Sequence, residues 1–168
     1  MAERNPNLMS PKAMEAMAST AGTGKELLSE IFTKINNAKD KPKKIEVLRR
    51  YNTPSMKMVL KGAFDPKIEW DLPPGIPPYI ANEAPAGTEH TYLELEAKRL
   101  YNFAKGGNNQ LNKIRKETLF IQMLEGLHAD EAKILIDMKN KTLNKTYKGL
   151  TSEMVKEAFG WNADFVKP

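Results

Sequence analysis

The sequence predicts an all-α fold of about six to seven helices, arranged as one compact domain or as two small lobes joined by a Pro-rich extended loop. Two observations lead there. Apolar residues recur at three- and four-residue spacing in successive segments, and residues of N-cap type precede most of those segments, so that no sheet is expected. At 168 residues the chain has the size of one ordinary domain, enough to bury a core without disulfides or metal.

Residues 1–24 read as a flexible segment, with a short Met/Ala-rich helix expected from Pro11, a residue suited to a first helical position. Thr23 and Glu26 have capping-box spacing, and Leu27, Leu28, Ile31, Phe32 and Ile35 follow as one apolar face. Asp40 is placed to cap a basic helix carrying Ile45 and Leu48. Thr53 caps the next helix, with Pro54 in its first turn, Met56, Val59 and Leu60 facing inward, and Gly62 expected to end it. Together these elements make a basic N-terminal lobe over residues 25–64.

Residues 65–87 contain Pro66, Pro73, Pro74, Pro77, Pro78 and Pro85, which exclude a helix or a central strand and predict an extended strap. Trp70, Ile76, Tyr79 and Ile80 argue against a purely solvated linker. Residues 88–168 then form a C-terminal helical core. Thr91 and Glu94 suggest a second capping box ahead of Leu93, Ala97, Leu100 and Ala104, with Gly106 and Gly107 as the stop. From Asn109 a further helix is expected, with Leu111, Ile114, Thr118, Ile121 and Leu124 on one stripe widened by Phe120, Met123 and Leu127, and this is the expected central helix. Asp130 and Glu131 suit the positive start of the following helix dipole, Lys139 and Lys141 its negative end, and Ile134, Leu135 and Met138 its buried face. Thr151 caps a last helix through Met154, Val155, Ala158 and Phe159, closed by Gly160, with Trp161 and Phe165 folding back.

Charge is segregated along the chain. The formal total is +5, yet residues 34–61 hold nine Lys or Arg against Asp40 and Glu46, a local net of +7. Within that stretch Lys39, Lys41, Lys43, Lys44, Arg49 and Arg50 are close enough to neutralise several phosphates, and Tyr51 could stack on an unpaired base. The competing reading, of equal weight, is that these are solvated faces of amphipathic helices. The strap, with Phe64, Trp70, Ile76 and Tyr79 among prolines and acidic residues, is the second candidate, for a protein partner. Its competing reading packs Trp70 and Ile76 onto the protein's own helices.

Catalytic motifs are lacking. Gly22-Thr-Gly-Lys resembles the end of a phosphate-binding loop, but Ser19 stands where the first glycine belongs, Glu26 follows the lysine, and no strand precedes it. The two histidines, His90 and His128, lie just before expected helices without metal-site spacing, so capping is the expected role and neither metal nor cofactor is called for. The lack of Cys suits a reducing cytosol, and the absence of a signal-like start or of about 18 continuous apolar residues predicts a protein neither exported nor membrane-spanning.

The stretches LKGAFDPKI (Leu60 to Ile68), PAGTEHTYLELEAKRLYNFAKGGN (Pro85 to Asn108), LEGLHADEAKILIDMKNK (Leu124 to Lys141) and YKGLTSEMVKEAFGW (Tyr147 to Trp161) resemble a family of small uncharacterised proteins from T4-like tailed phages, notably marine cyanophages. The likeness covers roughly residues 25–167. It implies a viral origin and action in the cytoplasm of an infected bacterium or in the virion, and carries over no functional residue. The expected function is a non-enzymatic accessory factor binding phage or host nucleic acid, or a replication or transcription protein. The alternative is a virion structural or assembly component. Nothing in the sequence selects an oligomeric state.

Overall fold

The computed structural model describes residues 27–81 and 91–166. Among them are eight α-helices: α1 Leu28–Asn37, α2 Lys41–Arg50, α3 Pro54–Phe64, α4 Leu93–Glu96, α5 Lys113–Gly126, α6 Ala129–Asn140, α7 Leu143–Thr146 and α8 Ser152–Phe159. A 3-10 helix, Ala97–Phe103, continues α4, and the described residues hold no strand beyond one isolated bridge between Trp70 and Ala104. The all-α expectation is met, with the single-turn helices α4 and α7 raising the count. No helix among the described residues is long and apolar enough to cross a membrane. The expected helix from Pro11, the Thr23 and Glu26 box, Pro85 and His90 lie outside the described residues.

Local chemistry sets most helix starts. The Asp40 carboxylate accepts the Lys43 N–H (3.0 Å), Thr53 Oγ1 the Met56 N–H (3.2 Å) and Thr151 Oγ1 the Met154 N–H (3.3 Å), as their spacing predicts. Helix α5 begins later than expected. Asn108 takes the Gln110 N–H into a local turn (3.0 Å), and Asn112 caps the helix instead through the Arg115 N–H (2.8 Å). The buried stripe of α5 is Lys116, Phe120, Met123 and Leu124, and Ile114, in the first turn, stands 78% exposed.

Three further expectations are corrected. Gly62 does not end α3, which continues to Phe64; a Cβ at this position would lie 2.5 Å from Trp70 Cζ2 and 2.9 Å from Met138 Sδ, so glycine is there for close approach. The box of Thr91 and Glu94 does not form, because Tyr92 is the N-cap, the Leu93 N–H is taken by Glu131, and the Thr91 hydroxyl donates to Glu96 (3.0 Å). The central helix is α6, not α5. It packs against α1, α3, α5 and α7, and Ala132, Ile134, Leu135, Ile136 and Met138 bury it on most of its circumference.

Glu131 joins the two ends of the core. Fully buried in the first turn of α6, its carboxylate accepts the Leu28 N–H (3.0 Å) and the Leu93 N–H (2.9 Å), the first amides of α1 and α4. A buried carboxylate is costly unless hydrogen-bonded, and here orphan amides and helix dipoles stabilise it. Apolar residues from α1 through α8 belong to one cluster, including Phe32, Leu48, Leu60, Leu100, Leu135 and Val155.

Candidate functional site

The cations of α2 divide by what they touch. Lys44 Nζ donates to the carbonyls of Ile35, Asn36 and Ala38 (3.1, 2.9 and 2.9 Å), closing the C-terminus of α1. Arg49 does the same for α8, its Nε donating to Ala158 O (2.9 Å). Lys41 pairs with Glu157 (2.9 Å) and Arg50 with Glu46 (3.3 Å), exposed contacts that contribute little stability. Lys39 and Lys43 are exposed, and the half-buried Tyr51 ring lies 5.6 Å from the Lys34 ammonium. The structure brings the six cations together along one short stretch, and gives two of them a structural task.

The strap is anchored stepwise. Asp71 N–H donates to Phe103 O (2.7 Å) and Lys105 N–H to Glu69 O (2.8 Å), bracketing Trp70, whose indole N–H donates to Gly62 O (3.0 Å). The Asp71 carboxylate pairs with the buried Lys116 (2.9 Å), whose ammonium holds that carboxyl below its ordinary range. Farther along, Lys139 Nζ donates to Pro73 O and Gly75 O (both 2.8 Å). Asn140 exchanges a hydrogen bond in each direction with the Gly75 backbone (3.3 and 3.1 Å), and Glu125 accepts the Ile80 N–H (2.8 Å). Lys139 and Lys141 thus serve other elements than their own helix end, Lys141 reaching the carbonyls of Gly62 and Asp65.

The four strap candidates separate. Trp70 is buried, Phe64 and Tyr79 are half-buried against the core, and Ile76 stands 78% exposed. Trp70 therefore packs on its own helices, and Ile76 does not. Gly75 at φ +86° and a Pro77 O to Tyr79 N–H turn interrupt the segment, so it is not a continuous polyproline helix. Ile80 (79%) and Ile114 (78%) are exposed as well. Ile114 borders a cavity of about 370 Å³ and Ile76 one of about 140 Å³, and the two cavities adjoin beside α5, sharing Leu72, Pro73, Pro74 and Glu117. Ile114 was hidden from sequence reading by its place on the expected core stripe; the cap at Asn112 is the signal that could have found it.

His128 is the N-cap of α6, its Nδ1 accepting the Asp130 N–H (3.1 Å), the capping role expected of it. A cleft of about 660 Å³ between the 3-10 helix and α5 is lined by Arg99, Tyr101, Leu119 and Met123 among others, and by Thr91 and Glu96, whose hydroxyl and carboxylate are hydrogen-bonded to each other (3.0 Å). Among the described residues no three His, Asp or Glu side chains are grouped to hold a metal.

Fold and surface define an all-α protein with an anchored strap and the exposed Ile76, Ile80 and Ile114. The model of a family of unknown function, DUF6433, matches residues 31–145, and the chain belongs to that family. No curated protein and no solved structure matches the chain.

Proposed function

We propose that the protein is a non-enzymatic accessory factor of phage infection that docks onto a replication or transcription protein in the cytoplasm of the infected bacterial host. The docking element is the ridge of Ile76, Ile80 and Ile114. The observation that carries this reading is the exposure of Ile76 (78%) and Ile80 (79%) on backbone held by Lys139, Asn140 and Glu125. Large apolar side chains fixed outward mark interaction sites, and a rigid presentation lowers the entropy lost on binding. The complementary partner surface is an apolar groove bordered by charges of both signs, since Glu117 and Glu125 flank the isoleucines together with Lys105 and Lys113. The phage context rests on the resemblance of the four stretches quoted from the sequence. Nucleic acid at α2 is the weaker alternative, since Lys44 and Arg49 are engaged at helix ends.

The test is site-specific photo-crosslinking in infected cells. A photoreactive residue at position 76 or 80 should give one recurring protein adduct, and the same residue at Lys148 should not. Equal labelling from both faces contradicts the reading. An adduct recovered only within purified particles moves the protein to the virion alternative.

A further inference from the structure

Lysines of α3 reach a cluster of rings at the end of α8 and in the segment after it. Lys57 and Lys61 lie one turn apart on α3, their ammoniums 5.6 Å from the Phe159 ring and 4.8 Å from the Trp161 ring. Lys156 of α8 lies 5.3 Å from the Phe165 ring. The rings adjoin each other, Phe159 to Trp161 at 4.9 Å and Trp161 to Phe165 at 6.2 Å. Phe165 is buried, whereas Phe159, Trp161 and the three lysines are half-exposed.

Phe165 backs this cluster from a φ of 59°, a region costly for a bulky residue. Asn162 holds it there, its Oδ1 accepting the Asp164 and Val166 N–H groups (2.9 and 3.3 Å). Strain of this kind persists where the surroundings over-determine it, often at functional sites. The charges are frustrated too. Burial and the neighbouring Lys57 ammonium hold Lys61 below the usual lysine range, with Asp65 opposing them. An anion seated at Lys57 and Lys61 would offset the repulsion between them, and an ammonium drawn to a phosphate would uncover the ring beneath it. Cations interleaved with rings suit unpaired nucleotides, whose phosphates meet ammoniums while base faces stack.

We propose that this lysine–aromatic face, Lys57, Lys61 and Lys156 around Phe159 and Trp161, binds single-stranded nucleic acid. It is separate from the strap ridge, and an accessory factor carrying both would hold its protein partner beside an exposed strand.

Fluorescence anisotropy on the full chain tests it, with labelled oligo(dT) and oligo(U) of about 20 nucleotides, longer than most single-module sites, and a duplex of equal length. Single strands should bind more tightly than duplex. The slope of log K against log salt should be near −2, about −0.7 for each of three lysines. Trp161→Ala should weaken binding about tenfold and Trp161→Phe much less, since a ring remains. Lys57→Glu with Lys61→Glu should weaken it more than Lys39→Glu with Lys43→Glu, the control for bulk charge. The oligo(dT) and oligo(U) arms assign DNA or RNA. No binding at low salt, a duplex preference, or an equal loss in the α2 control overturns the proposal. If the α3 double variant unfolds, the Trp161 pair decides, and equal affinities for Ala and Phe overturn it as well.

Discussion

The two halves of the Pro-rich strap each carry large apolar side chains and have opposite fates. Residues 65–72 turn Ile68 and Trp70 into the core, whereas residues 73–80 turn Ile76 and Ile80 into solvent. What differs is the partner of the backbone. The first half bonds to the backbone around Ala104 and lays its indole on Gly62. Side chains hold the second half from below: Lys139, Asn140 and Glu125 take its carbonyls and amides, and Ile76 and Ile80 stand exposed while Tyr79 packs on the core. A large apolar residue beside proline is thus core or ridge according to what satisfies the neighbouring peptide groups.

The largest effect that would separate the halves is Trp70→Ala, expected to destabilise by about 3–5 kcal/mol in denaturant unfolding, as for a fully buried aromatic. Lys139→Met comes next. Losing the charged donor to Pro73 and Gly75 should cost about 1.5–3 kcal/mol and raise amide hydrogen exchange at Gly75 more than at Asp71. Gly62→Ala should lose stability on balance, because overpacking against Trp70 and Met138 costs about 1–3 kcal/mol while helix propensity returns about 1 kcal/mol.

A smaller effect is a pH dependence at the anchor of the first half, where Lys141 and Trp70 both donate to Gly62 O. Burial pushes the Lys141 ammonium from 10.5 down to about 8. Between those values the unfolded chain binds the proton that the folded chain has released, so Lys141 makes stability rise with pH across that window. Tyr147 acts oppositely, because burial raises its phenol from 10.0 to about 12, so stability falls once the unfolded phenol ionises. Thermal midpoints should rise above pH 8, turn over near pH 10, and rise less steeply in Lys141→Met, where Lys61 and Lys139, also held low by burial, keep part of the slope. A profile identical in the variant would contradict the assignment.

Much of this fold was legible in the sequence where the determinants are local. Asp40, Thr53 and Thr151 cap the helices that their spacing assigns to them, and Gly160 closes α8 in the left-handed conformation. What escaped depends on partners far along the chain. Glu131 reads as a first-turn carboxylate, but its two amides come from Leu28 and Leu93. Lys44 and Arg49 read as free positive charge until the helix ends they close are placed beside them. Ile76 and Trp70 look alike in sequence because burial on the strap is decided by α3, α5 and α6. Lys61 and Trp161 are a hundred residues apart in sequence, so no local pattern announces the ring and ammonium cluster.

The central claim is that Ile76 and Ile80 are presented to solvent and not packed, and the double variant Ile76→Asp, Ile80→Asp tests it most directly. Both thermal unfolding and crosslinking from a photoreactive residue at position 114 should be measured on the same protein. Exposed positions of this kind change stability by no more than about 0.5 kcal/mol, so the account predicts an unchanged melting temperature together with loss of the partner adduct. A lowered melting temperature with the adduct retained would show that both isoleucines belong to the core, and would contradict it.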